Sequence, residues 1–282
     1  MQKLTSEEEI NLKKTANQIR KHVLRTIKAG GAGHIGGALS CTDMLTVLYF
    51  KILKVDPQNP NWPQRDRFIL SAGHKCLALY GTLAEKGFFE KSLLDTYGAL
   101  CTKLGGHPDM HKLPGIESNT GALGHGLSIA GGMALGLRMD GLDSKVYTIL
   151  GDGELAEGSN WEAAAAASHH KLDNLVAFVD RNKFQHGGRT VDFMSYEPLD
   201  KRWEAFGWAV RTIDGNDLQQ VYGNVTDTPF EKGRPSMIIA DTIKSKGLPS
   251  MEDKASFHYW KVNDEEMKIA EQALQAIEEG IK

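Results

Sequence analysis

Cysteine is scarce in this 282-residue chain, and the three present, Cys41, Cys76 and Cys101, show no C-x-x-C spacing. Neither a disulfide framework nor a thiolate zinc site is expected. An excess of one charge is also missing: 33 Lys and Arg stand against 36 Asp and Glu, a formal net charge of −3. Such a balance offers no basic surface to nucleic acid or to a membrane. No apolar run approaches the roughly 18 residues of a membrane span, and Met1–Ile10 is polar and acidic, without a signal-peptide core. The chain is therefore expected to be soluble and cytoplasmic. What it does have is glycine, 30 residues, beside a hydrophobic fraction of 41%, as in a loop-rich globular protein. Length alone would admit two domains of roughly 150 residues. With no linker, internal repeat or low-complexity tract, residues 1–282 are read as one domain.

Glu7, Glu8 and Glu9 after Ser6 suit a helix start, and Ile10, Ala16, Ile19, Val23, Leu24 and Ile27 recur near a 3.6 period until Gly30-Gly31. Further helices are expected over Thr42–Leu53, Leu77–Lys86, Leu127–Met139, Glu154–His170 and Asp264–Glu279. Apolar runs predict strands over Arg67–Ser71, Lys145–Leu150, Asn174–Val179, Trp208–Ile213 and Ser236–Asp241. Pro57, Pro60 and Pro63 exclude regular structure between Asp56 and Pro63. Residues 104–126 form a long loop rich in Gly, Pro and His, a length that in a compact domain usually signals function. Alternating strands and helices predict an α/β fold: a doubly wound, mostly parallel sheet with helices on both faces.

Gly31-Ala32-Gly33-His34-Ile35-Gly36 satisfies G-x-G-x-x-G, with Asp56 twenty residues beyond Gly36. A dinucleotide fingerprint needs a strand running into its first glycine, and the residues before Gly31 have helical spacing. A glycine-rich loop between helices, carrying a functional His34, fits better. The stronger signal is Gly151-Asp152-Gly153 at the end of one expected strand, with Asn182 thirty residues after Asp152, just past the next. Both side chains should emerge at the carboxyl ends of parallel strands, where open sheets bind ligands. One carboxylate and one amide oxygen suit Mg2+, which commonly binds one or two protein groups plus ligand phosphates. Gly151 and Gly153 let the main chain approach, and a helix starting near Glu154 would aim N–H groups at a phosphate. G-D-G alone is also a plain strand-to-helix turn; Asn182 at this spacing favours a metal–diphosphate site.

Of ten histidines, His34, His74, His107 and His125 each follow a glycine inside an expected loop. Imidazole near its pKa can give or accept a proton from a sugar hydroxyl, although a loop histidine can equally just bond nearby backbone. His169-His170 suit the dipole at a helix end.

Gly151–Gly158 with Trp161-Glu162-Ala163, then His170–Leu175 and Asp180–Lys183, resemble the thiamin-diphosphate motif of transketolases. The resemblance spans nearly the whole chain: Gly33–Gly36, Arg65–His74, Gly105–Pro108 through Thr120–Gly124, and Met251-Glu252-Asp253 with Phe257-His258. It implies the diphosphate-binding domain of the family and transfer of a two-carbon ketol unit from a ketose (phosphate) to an aldose (phosphate) on thiamin diphosphate. By resemblance Asp152, Asn182 and the main-chain carbonyl of Phe184 hold Mg2+ or Ca2+. His74, Gly121, Leu123, Gly153 and Glu157 are implied coenzyme contacts, and His34, His107, His258 and Glu157 implied catalytic residues. Glu157 and Glu162 are implied members of a glutamate network that reaches a partner's active site.

Family chains run to more than twice this length, and this one matches only their first domain. It closes on a Glu- and Lys-rich helix that reads as a natural terminus, so an obligate partner is expected. That partner is a C-terminal subunit with the pyrimidine-binding domain, joined in a heterotetramer. One departure stands out. Where the family continues after the metal loop with an aliphatic residue and Asp-Gly, this chain has Gln185-His186-Gly187-Gly188, which puts the standard pentose-phosphate donors in doubt. Two alternatives stay open: a synthase half that uses a different donor, and a non-catalytic subunit that only holds the cofactor.

Overall fold

The computed structural model describes residues 1–281. Five strands, β1 (Arg67–Leu70), β2 (Val146–Gly151), β3 (Leu175–Arg181), β4 (Ala209–Asp214) and β5 (Ser236–Asp241), form one parallel sheet in the order β1-β2-β3-β5-β4. Around it lie α1 (Ser6–Gly30), α2 (Ile35–Ser40), α3 (Thr42–Val47), α4 (Cys76–Lys86), α5 (Gly126–Met139), α6 (Gly158–His169), α7 (Thr190–Phe193), α8 (Leu199–Ala205), α9 (Leu218–Thr226) and α10 (Asp264–Gly280). The doubly wound α/β arrangement expected from the alternating pattern is the one adopted.

Successive strand residues point to opposite layers. In β1, Phe68 and Leu70 enter a core shared with Val23 of α1, Leu45 of α3, Leu77 of α4, Val221 of α9 and Leu274 of α10. Ile69 enters the other core, with Leu127 of α5, Ala164 of α6 and Trp203 of α8. Covered on both faces, β2, β3 and β5 are buried almost throughout, whereas the edge strand β4 carries Arg211 and an exposed Thr212. Among the described residues no helix is long and apolar enough to cross a membrane.

Several boundaries differ from expectation, each for a local reason. Thr5, not Ser6, caps α1: its hydroxyl accepts from Glu8 N and the Glu8 carboxylate accepts from Thr5 N. The helix expected over Thr42–Leu53 is α-helical only to Val47 and then widens into a π-turn at Leu48–Ile52. The glycine-rich segment is not all loop, because Ile35–Ser40 is helical with His34 at its N-cap. The helix expected over Glu154–His170 is broken. Gly153–Ala156 makes a single 3₁₀ turn, Glu157 is extended, and α6 begins at Gly158. Asn160 Nδ2 donates to Glu154 O at 2.7 Å, tying that turn off as a separate unit.

Two short ribbons complete the architecture. Phe184–Gln185 pairs with Gly188–Arg189 just beyond β3, and Ala32–Gly33 pairs antiparallel with Trp260–Lys261, joining the two ends of the chain.

Candidate active site

β2 and β3 are adjacent and in register Gly151 to Asp180, so Asp152 and Asn182 emerge side by side past the carboxyl edge of the sheet. Both are buried. Asp152 Oδ1 accepts from Gly153 N at 2.9 Å and Oδ2 from Lys183 N at 2.6 Å, a bond that holds Lys183 at φ 71°. Asn182 Oδ1 accepts from Phe184 N at 3.1 Å, while its Nδ2 lies 3.3 Å from Ser40 Oγ. Burial, with Asp180 adding to it, pushes the Asp152 carboxyl up to about 7 against the pull of Lys75. Because α6 starts at Gly158, the N–H groups nearest Asp152 belong to the 3₁₀ turn and not to a helix N-terminus. A Cβ on Gly153 would lie 2.9 Å from Gln185 Cβ, so glycine lets the ribbon after β3 close over this edge. Among the described residues no three His, Cys, Asp or Glu side chains converge as a metal site. A cation here would need oxygens from main chain and ligand, the habit of Mg2+.

Two buried lysines, missed in the sequence, face the same edge. Lys75 Nζ lies 2.6 Å from Asp180 Oδ2, with side-chain exposures of 3% and 0%. Burial opposes its charge, but Asp180 more than restores it and leaves the ammonium above its ordinary range. Asp180 also accepts from Ser40 Oγ at 2.6 Å and from Thr242 Oγ1. Lys244, 1% exposed, has no carboxylate partner among the described residues; its Nζ stands 3.2 Å from His258 Nδ1. Burial, then Lys75, pull it down to about 8. A buried ammonium without a counter-ion is costly, and a bound anion would relieve it.

Gly36, the last glycine of the G-x-G-x-x-G match, and its neighbour Gly37 serve these lysines. A Cβ on Gly36 would sit 2.6 Å from Phe257 O and 2.7 Å from Lys244 Cε, and one on Gly37 would sit 3.0 Å from Lys75 Cε. One glycine of the phosphate-loop spacing and the residue after it admit two lysine stems.

Above the lysines the histidines converge. His34 lies 5.1 Å from His74 and 5.4 Å from His258 between ring centroids, and His74 and His258 are 5.6 Å apart. The terminal ribbon does this, by placing Trp260 opposite Gly33. His186, from the unusual segment after β3, joins at 5.4 Å from His258. His107 lies against Gly121, with its Cδ2 2.8 Å from where a Cβ there would stand. Its loop is pinned by Tyr80 Oη, 2.9 Å from the carbonyls of Gly105 and His107, and by Arg65 paired bidentately with Glu117 at 2.8 and 2.7 Å.

Leu123 is half-buried on that loop, and Glu157 is exposed beside Gly124. Neither Glu157 nor Glu162 joins an ion pair among the described residues; both are exposed. His125 is exposed, and His169 and His170 close α6.

Burial first, then neighbouring imidazoles and Lys244, push His34 down to about 4. His74 falls to about 2, by burial and then Lys75, and His258 to about 3, by burial and then Lys244. The three rings are uncharged at neutral pH and act as hydrogen-bonding groups, not as the near-neutral titrating groups expected. In the unfolded chain they take up protons below about 6.5, their ordinary value. Between pH 6.5 and 4 the unfolded state therefore binds more protons, and stability falls as pH falls. Asp152 and Glu154, both raised, work the other way, two carboxyls against three imidazoles. The melting temperature of the ligand-free chain is expected to be lower at pH 5 than at pH 7; a rise on acidification would sink this account.

Comparisons with known proteins give the family. Residues 11–278 match the family model described as transketolase, thiamine diphosphate binding domain. A 6-deoxy-6-sulfo-D-fructose transketolase subunit from Clostridium sp. is 46% identical over 96% of this chain and 98% of its own. A second relative, named as one of the subunits of an apulose-4-phosphate transketolase from Phocaeicola vulgatus, is 43% identical over 93% of this chain and 92% of its own. The solved transketolase of Campylobacter jejuni superposes with a TM-score of 0.87 at 32% identity, over 96% of this chain but only 45% of that longer one. The chain spans less than half of that full-length enzyme and nearly the whole of the two relatives named as subunits. It belongs to the family of transketolase thiamine diphosphate binding domains, as the N-terminal subunit of a split transketolase.

Proposed function

We propose that this chain is the coenzyme-binding half of a two-chain enzyme that moves a two-carbon ketol unit from a ketose to an aldose. In this reading residues 1–282 form a single diphosphate-binding domain. The observation that carries it is the meeting, at one sheet edge, of Asp152 and Asn182 with the buried ammonium of Lys244 and the rings of His34, His74 and His258.

The donor set fits a diphosphate with its cation. Asp152, Asn182 and the Phe184 carbonyl would hold Mg2+ or Ca2+, Gly153 would meet the diphosphate, and Gly121 and Leu123 would lie along the coenzyme. Bound there, thiamin diphosphate supplies the electron sink for C–C bond cleavage. The protein's share is orientation and proton handling. Lys244 balances phosphate charge, and His34, His107 and His258 bind sugar hydroxyls and hold or pass their protons. Glu157, exposed and without an ion pair among the described residues, would meet the partner.

That partner is a C-terminal subunit bearing the pyrimidine-binding domain, in a heterotetramer of two copies of each chain. The relatives are named for a sulfonated and a phosphorylated ketose, and we take a sugar with a terminal anionic group as the donor class here. His186 at the rim of the histidine cluster favours a donor other than the standard pentose phosphates. His186→Leu is expected to change the ratio of kcat/KM between two such donors by about tenfold, the range one polar contact supplies. Unchanged ratios would dismiss that role.

The reading as a whole is tested by titrating thiamin diphosphate calorimetrically into the chain mixed with its partner, with and without Mg2+. Heat only with Mg2+ is expected. No heat in either experiment, or full ketol transfer by this chain alone, would overturn it.

A further inference from the structure

We propose that Glu154 and Ser159 clamp the Gly124 peptide from both sides, presetting the segment 120–124 before any ligand arrives, and that this clamp sets coenzyme affinity. The inference rests on the thiamin-diphosphate reading above.

Glu154 is one of the few buried carboxylates, and its side chain turns back from the 3₁₀ turn toward the strand ends. Its Oε1 accepts from Ser71 Oγ at 2.5 Å and from Gly124 N at 2.9 Å, and its Oε2 accepts from Gly151 N at 3.0 Å. The donors come from the end of β1, the coenzyme segment and the end of β2. Burying a carboxylate is costly unless its oxygens are filled, and here both are. Nothing local demands an acid at this position, since the 3₁₀ turn is already capped by Asp152. The Glu154 main chain is itself fixed by Asn160 Nδ2 and its side chain reaches outward from a rigid base.

On the other side Ser159 Oγ donates to Gly124 O at 2.9 Å. Gly124 sits at φ 84°, and a Cβ there would lie 2.5 Å from both Glu157 Cβ and Ser159 Oγ. Only glycine fits, with its N–H and its carbonyl each gripped. Three residues earlier Gly121 packs against His107, and Gly73 packs against Thr120 and Gly121. The clamp therefore fixes the far end of a segment whose near end already touches His107 and the backbone beside His74. A loop ordered in advance spares the ligand the entropy of ordering it, so losing the clamp should weaken binding and spare turnover at saturation.

Glutamine cannot replace this carboxylate. It offers one acceptor oxygen, and its amide N–H would face the N–H of either Gly124 or Gly151. Glu154→Gln therefore keeps the volume and breaks the clamp, making Glu154 a positioning residue testable apart from its packing.

The test uses the chain with its partner and two readouts: hydrogen exchange over residues 120–127 without coenzyme, and the equilibrium Kd for thiamin diphosphate with Mg2+. Both Glu154→Gln and Ser159→Ala should speed that exchange. Kd should rise about tenfold in the first and about threefold in the second, with kcat at saturating coenzyme within about twofold of wild type. Wild-type exchange, or a Kd within about twofold of wild type, in either variant overturns the clamp, as does a lowered melting temperature without a change in Kd. Should Glu154→Gln fail to fold, Ser159→Ala decides alone. If the wild-type pair binds no thiamin diphosphate, the functional reading fails, while the exchange comparison still judges the clamp.

Discussion

Asp152→Ala is expected to leave the chain folded and to abolish magnesium-dependent binding of thiamin diphosphate. Asp152 is the one carboxylate in the proposed cation shell; Asn182 and a main-chain carbonyl contribute only dipoles. Losing even an outer-shell partner of a metal site typically costs about 10–100-fold, so removing the sole charged ligand should cost at least about a hundredfold. The fold should tolerate the change because burial already works against this carboxylate, raising it to about 7. What Asp152 gives structurally is two accepted N–H groups, those of Gly153 and Lys183, and the exposed Lys183 can turn to water instead. Titration of the variant paired with its partner checks the binding, and a melting curve checks the fold. Undiminished Mg2+-dependent heat in a folded Asp152→Ala protein removes the metal assignment.

Lys75→Met should be the most destabilising single change near the site. It strips the ammonium from Asp180, which is fully buried and keeps only neutral donors from Ser40, Thr242 and Asn182. Breaking a buried pair by removing one partner typically costs about 3–5 kcal/mol, because the other charge stays buried and uncompensated. Against a usual total of about 5–15 kcal/mol, that is a large share. Removing both charges should hurt less than removing one. The double variant Lys75→Met with Asp180→Asn is expected to recover about half of the loss, a coupling that a denaturation midpoint series reads directly. A double variant no more stable than Lys75→Met would mean that the pair does not act as an ion pair in the folded chain.

Much of the architecture is legible in local pattern. The run Ser236–Asp241 is a strand with the boundaries expected, and the other four central strands lie within two residues of theirs. Short apolar-rich runs such as Leu175–Val179 and Met237–Ala240, set among helical periods, report strands buried on both faces whatever lies far away in the chain. Asp152 and Asn182 were readable for the same reason: a residue just past a parallel strand sits at the carboxyl edge, and adjacency of β2 and β3 follows from the single crossover between them. The helix break at Glu157 was not readable. It is held by Glu154 reaching Ser71 and Gly124, partners distant in sequence, and the one local sign, the poor helix formers Gly158, Ser159 and Asn160, does not fix the break point.

By itself, then, the sequence determined the elements, their alternation, the two-layered sheet and the placing of Asp152 and Asn182 at one edge, because each is a property of a short segment and its burial. Only the tertiary structure decided that Ala32–Gly33 pairs with Trp260–Lys261, and with it that His34, His74 and His258 share one cluster. It also decided that Gly36 and Gly37 make room for Lys244 and Lys75 rather than for a nucleotide, and that Lys244 is buried with no carboxylate partner among the described residues. Lysine in a sequence reads as surface, and a glycine motif reads the same whether a phosphate or a side chain fills the space. The choice lies in contacts between residues far apart along the chain, which leave no periodicity behind them.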